Sequence, residues 1–123
     1  MPDLTVTVGG HDLTATWIDD NPKTRSALAD ALPVSGDATR WGDELYFSVP
    51  VDVSPETTQT AVPVGALAYW PRGDALCLFW GETPASEDDE PRAAAPVAVV
   101  ATVDDVSALA AVDGAVPVRV AAE

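Results

Sequence analysis

Apolar and polar residues alternate from Leu4 to Val8 and again from Leu13 to Trp17, with Gly9–Gly10 between the two runs. A period of two puts one face of each run toward a core, and the glycine pair supplies the turn of a β-hairpin. The pattern then changes. Asp20–Asn21–Pro22 reads as a helix start, with a side-chain acceptor at the cap and proline in the first turn. Ala27, Leu28, Ala31 and Leu32 share one face of that helix, and Pro33 ends it. Gly36–Asp37 reads as a turn. Leu45, Phe47 and Val49 alternate with Glu44, Tyr46 and Ser48, which predicts a strand over 44–49 with one buried face.

The second half of the chain is more apolar. Residues 52–65, with Pro55, Pro63 and several threonines, read as a loop with a short extended piece near Ala61–Val64. Ala66–Trp70 and Ala75–Trp80 are apolar runs separated by Pro71–Arg72–Gly73–Asp74, a turn sequence, so they predict a second hairpin. Residues 82–95 carry Pro84, Pro91 and the run Glu87–Asp88–Asp89–Glu90, and predict a mobile, solvated, acidic loop. Val97–Val103 predicts a strand. Asp104 is placed to cap a short helix with Val106, Leu109 and Ala110 on its apolar face and Gly114 as its stop. Val116, Val118 and Val120 give the last strand.

Seven or eight short strands and two helices, without regular β-α alternation, argue against a doubly wound parallel sheet. The expectation is a mostly β, antiparallel barrel in one domain spanning 1–123, with two short α-helices over its open ends. No repeat and no dividing linker interrupts the chain.

Charge alters this picture more than length does. The chain has 20 Asp plus Glu against 6 Lys plus Arg, a formal net charge of −14. The acids are dispersed, a single lysine (Lys23) remains, and the apolar set is dominated by alanine and valine. An acidic surface of this kind suits a cytoplasm at high salt, where self-repulsion is screened over about 3 Å at 1 M. The alternative, an acidic surface for a basic partner, fits less well because such acids come in blocks. Nucleic-acid binding is disfavoured by the scarcity of Lys and Arg. A membrane span and a secretory leader are not expected either. The single cysteine, Cys77, excludes an internal disulfide framework and a multi-cysteine zinc site.

Two segments carry a family resemblance. One is Arg40–Trp41–Gly42–Asp43–Glu44–Leu45–Tyr46–Phe47 followed by Val49–Pro50. The other runs through Gly65–Ala66–Leu67–Ala68–Tyr69–Trp70–Pro71, Ala75–Leu76–Cys77–Leu78–Phe79–Trp80–Gly81 and Thr83–Pro84. Together they resemble the small microbial cyclophilin-like family, minimal single-domain relatives of the cyclophilins. The resemblance implies a closed eight-stranded barrel capped by two helices. It implies no defined activity, although full cyclophilins are peptidyl-prolyl isomerases with an arginine in a Phe-His-Arg motif. Here no Phe-His-Arg occurs, His11 is the only histidine and Gln59 the only glutamine.

Isomerisation would need a hydrogen-bond donor to the proline nitrogen in an apolar groove, and no metal, nucleophile or tuned acid. Arg40, beside Trp41, is the candidate donor. Asp43 and Glu44 offer it simpler employment as an ion-pair partner. Among the aromatics, Phe47 belongs to the buried face of its strand, whereas Tyr46 shares the other face with Glu44 and Ser48. Trp70 and Trp80 carry ring N–H groups and either can edge a groove. Cys77 reads as a buried, inert thiol and His11 has no catalytic companion. No calcium loop or phosphate loop is present, and no cofactor or metal is expected.

The expected site is a groove on the barrel wall. Arg40 is its possible catalytic residue, and Trp41, Glu44, Tyr46, Tyr69, Trp80 and Thr83 are its ligand contacts. The expected ligand is a short proline-containing peptide or a small molecule, held by a non-catalytic or weakly catalytic binding module. The alternatives are a prolyl isomerase using Arg40 and a subunit of a larger complex. Oligomeric state is not legible.

Overall fold

The computed structural model describes residues 3–112 and 115–123. The first hairpin forms as expected: β1 (Leu4–Val8) pairs with β2 (His11–Trp17) from Leu4↔Ala15 to Val8↔His11. Leu4, Val6, Val8, Leu13 and Ala15 point into one core, as their spacing requires.

Helix α1 spans Pro22–Ala31, with Pro22 in its first turn and Leu28 fully buried. Asn21 is the cap residue by position, but its side chain does not cap. Its Nδ2 donates to the Val99 carbonyl at 3.1 Å, and its Oδ1 accepts the Thr57 N–H at 2.8 Å. Capping comes instead from Glu56, whose carboxylate accepts the N–H groups of Lys23 and Thr24 and the Thr24 hydroxyl. A negative group at the positive end of a helix is favourable, and here a distant loop supplies it.

After α1 come β3 (Val34–Arg40), β4 (Glu44–Ser48), β5 (Gln59–Ala61), β6 (Ala66–Trp70), β7 (Ala75–Phe79), β8 (Arg92–Val103) and β9 (Val116–Ala122). The hydrogen-bonded order is β2-β1-β9-β3-β4-β7-β6-β8, and β8 pairs back onto β2 through Ala15↔Val103 and Trp17↔Ala101, giving a ring-like sheet. Every pairing is antiparallel. The three-residue β5 lies outside this ring, against the first half of β8. No helix among the described residues is long and apolar enough to cross a membrane.

Three expectations are corrected. Gly36–Asp37 is not a turn but the middle of β3, where Gly36 pairs with Val118. A Cβ on Gly36 would stand 3.3 Å from the Phe47 ring, so the glycine gives way to Phe47 inside a strand. Arg92–Ala95 is not loop but the start of β8. The expected second α-helix is a 3₁₀ stretch, Ser107–Ala111, closed by Leu109 N–H to the Val106 carbonyl at 2.9 Å. Asp104 does not cap it: its carboxylate accepts the Thr14 hydroxyl at 2.9 Å, and Asp105 accepts the Ser107 N–H at 3.0 Å. Gly114, the expected stop of the helix, lies outside the described residues.

Two apolar clusters divide the interior. The larger lies inside the ring and gathers Leu4, Val6, Leu45, Phe47, Tyr69, Leu76, Leu78 and Val120 with Leu28 and Leu109. The smaller lies on the outer face of β6 and β7, where Ala66, Ala68, Cys77 and Phe79 meet Val62, Ala93 and Val97. Strands β6 and β7 are therefore covered on both faces, which is why they read as continuous apolar runs instead of alternating. The first half of β8 and residues near β5 supply the outer cover.

The turn joining β3 to β4 is bolted to the segment after β7. Trp41 N–H donates to the Glu44 carbonyl, Asp43 N–H to the Glu82 carbonyl at 2.8 Å, and Trp80 N–H to the Asp43 carbonyl at 3.0 Å. Gly42 has φ +61°, and a Cβ there would lie 2.7 Å from the Thr83 Cα. Gly42→Ala is therefore expected to lower the unfolding free energy by about 2–4 kcal/mol, from left-handed strain plus a backbone clash. Denaturant unfolding checks this, and a loss below about 0.5 kcal/mol would show that the two segments can separate freely.

Candidate functional site

Strand parity sets which side chains meet. On β4, Leu45 and Phe47 face the inner cluster, so Glu44 and Tyr46 face outward. Register pairs Glu44 with Phe79 and Tyr46 with Cys77, and β6 adds Trp70 beside them. Trp41 arrives from the clamped turn. The first half of β8 passes over this surface with Ala93, Ala94, Ala95 and Val97. Because those residues are small, the outer layer does not fill. A cavity of about 270 Å³ remains, walled by Trp41, Tyr46 and Trp70, with Glu44 and Cys77 among its lining.

Glu44 is the unusual member. It is only 6% exposed, yet no Lys or Arg lines the cavity. Burial pushes its carboxyl up from 4.5 to about 7, and a hydrogen bond from the Cys77 thiol offsets only part of that. Cys77 responds in kind: burial first, then the Glu44 charge, pushes its thiol well above the usual range. The thiol is buried, as its sequence context predicted, and its raised pKa keeps it protonated. The carboxyl, in contrast, is poised between its two protonation states near neutrality.

The expected site residues separate into groups. Trp41, Glu44 and Tyr46 come together at the cavity. Tyr69 does not: its parity turns it into the inner cluster, fully buried, where its hydroxyl donates to the Val51 carbonyl at 2.8 Å. Thr83 stands behind the clamped turn and braces the acidic loop. Its hydroxyl donates to the Arg92 carbonyl and accepts the Ala85 N–H at 3.2 Å. Trp80 is also off the cavity, with the Arg40 guanidinium 5.4 Å from its ring centre.

Arg40 is a strut. Its Nε donates to the Gly42 carbonyl at 2.8 Å, one terminal nitrogen to the Val112 carbonyl, and the other to Asp43 at 2.9 Å. These bonds hold the turn that carries Trp41 and Glu44. Trp70, which the sequence marked only as one possible groove edge, lines the cavity together with Cys77 and the Ala93–Ala95 run. The available signal was the unbroken apolarity of Ala66–Trp70 and Ala75–Phe79, which demands a second covering layer. The alanines opposite are what leave that layer open.

Among the described residues no group of three or more His, Cys, Asp or Glu is placed to hold a metal ion. The acidic loop is instead organised by Arg92, which donates to Glu90 at 2.8 Å and to the Thr60 hydroxyl at 3.1 Å. That bond, with N–H donors from the loop backbone, holds the Glu90 carboxyl down to about 2.

Glu44 makes stability depend on pH in a defined direction. Its folded-state value, about 7, lies above its ordinary value of 4.5, so the native state binds the extra proton between them. The contribution is therefore most favourable below that interval, declines as pH rises through it, and is flat above it. The full decline is on the order of 3 kcal/mol. Glu44→Gln is expected to remove this slope, so that the variant gains on the parent between about pH 5 and about pH 8. Denaturant unfolding of both proteins at the two pH values checks it. Parallel pH profiles would contradict a buried, unpaired carboxyl.

The comparisons with known proteins agree with this architecture. The chain matches the family model described as Cyclophilin-like over residues 2–121. Its structure is similar to the solution structure of the hypothetical protein AF2241 from Archaeoglobus fulgidus, with a TM-score of 0.81 and 32% sequence identity, covering 99% of this chain and 95% of that one. No curated protein matches the chain. The family model spans nearly the whole sequence, and the chain belongs to the cyclophilin-like family.

Proposed function

We propose that this cyclophilin-like domain is a binding module, and that a short peptide, proline-containing or otherwise compact, or a small molecule occupies the cavity walled by Trp41, Tyr46 and Trp70. The observation that carries this reading is the unfilled outer layer: an apolar-walled hollow of about 270 Å³ with one carboxyl group, Glu44, in its lining. Binding sites of this kind combine apolar walls with few polar anchors, at volumes from about 300 Å³ upward. The ring of strands we read as the closed barrel of the family, with the cavity on its outer wall.

Binding without isomerisation is the form of the proposal. A prolyl isomerase needs a free donor over its groove, and Arg40 already donates to Gly42, Val112 and Asp43. We further propose that the domain works at high salt. Of the basic residues, Arg25, Arg40 and Arg92 form ion pairs with acids. Most of the 20 acids are left for water and dissolved cations.

Tryptophan emission in about 3 M KCl is the direct readout, since two indoles wall the cavity. Proline-containing peptides are expected to shift it, and Trp41→Phe to remove part of the shift. An unchanged emission across a broad peptide and metabolite set would refute binding. A protease-free isomerisation assay in the same buffer is expected to show the uncatalysed rate. For the salt reading, the thermal midpoint is expected to climb steadily as KCl rises from dilute to molar concentration, and a flat or falling midpoint would refute it.

A further inference from the structure

The chemistry of the cavity lining bears on the kind of ligand it suits. Three aromatic rings, from Trp41, Tyr46 and Trp70, share it with one carboxylate, and its remaining lining is thiol, alanine and valine. Glu44 enters from β4 with Tyr46; β7 contributes Cys77, while β6 and β8 bring no ionisable group to the lining. The only cation at the near end of β8, Arg92, is spent on Glu87, Glu90 and Thr60. Glu44 is a buried residue, and a carboxylate in such a place would ordinarily have a partner of opposite charge. Here the protein supplies a thiol and aromatic faces, whose π-electrons attract positive charge.

We propose that the cavity is a receptor for an organic cation: an amine or alkylammonium group held against Glu44 and between the rings of Trp41, Tyr46 and Trp70. This rests on the binding reading above and deepens it by naming the group recognised. The same chemistry excludes carboxylates and phosphates, which would meet Glu44 and a net charge of −14. The cation can belong to a free small molecule or to the N-terminus of a peptide. Apolar walls favour weakly hydrated alkylammonium over the strongly hydrated metal ions of a saline medium.

Choline and its uncharged carbon isostere, with carbon in place of the quaternary nitrogen, form the probe pair. Followed by tryptophan emission in high salt, choline is expected to bind on the order of ten-fold more tightly than the isostere. Glu44→Gln is expected to abolish that preference while still binding the isostere, which also shows that the variant is folded. Choline affinity is expected to strengthen as pH rises through the range where Glu44 ionises, with isostere affinity unchanged. Equal binding of the two probes would overturn the cation inference and leave the cavity as a general binding site. Binding of neither would overturn both readings. A free-amine dipeptide that binds like choline, where its N-acetylated form does not, identifies a peptide terminus as the source; choline binding alone identifies a free small molecule.

Discussion

Strands β6 and β7 are buried on both faces, and the rest of the molecule is arranged around that constraint. Their inner face, with Leu67, Tyr69, Leu76 and Leu78, completes the core of the ring. Their outer face must be covered as well, because Ala68, Cys77 and Phe79 cannot be left in water without losing about 25 cal/mol for each Å² exposed. The first half of β8 is the cover. Its Ala93 and Val97 pack into the outer cluster, and with Ala94 and Ala95 they face the rings of Trp41, Tyr46 and Trp70 across the cavity. The cavity is the place where small residues in one layer meet large ones in the other.

The polar features follow from that arrangement. Glu44 is forced into the outer layer by strand parity, since Leu45 beside it belongs to the inner core. No partner of opposite charge follows it in. Arg40, the nearest arginine in sequence, is directed away by the turn it stabilises, with Gly42 pressed against Thr83 so that the turn has one position. The same strut that makes Arg40 unsuitable as a free donor holds the turn from which Trp41 lines the cavity.

How much of this was legible in the sequence depends on what each residue type can announce. Alternation disclosed β1, β2, β4 and β9, because in each the aliphatic residues that build the inner core recur at every second position. It failed at β3, where Gly36 imitates a turn while making room for Phe47. The helix start at Pro22 was legible, but its capping group was not, since Glu56 comes from 32 residues beyond Thr24. Within the site, parity separated Tyr46 from Phe47 correctly and grouped Glu44 with Tyr46. Tyr69 was misplaced because β6 is apolar on both faces, so its pattern gives no inside or outside. The alanines of residues 93–95 carry no local signal for a cavity wall, and their role exists only once β8 lies across β6 and β7.

The central physical claim is that Glu44 is a buried carboxyl without a counter-charge, held in an apolar, aromatic-walled cavity. The most direct test is an NMR titration of its side-chain carboxyl carbon in high salt, assigned by comparison with Glu44→Gln. The account predicts a midpoint of about 7 that falls when choline fills the cavity. A midpoint near 4.3, unchanged by choline, is the behaviour of a solvated surface glutamate and would contradict it.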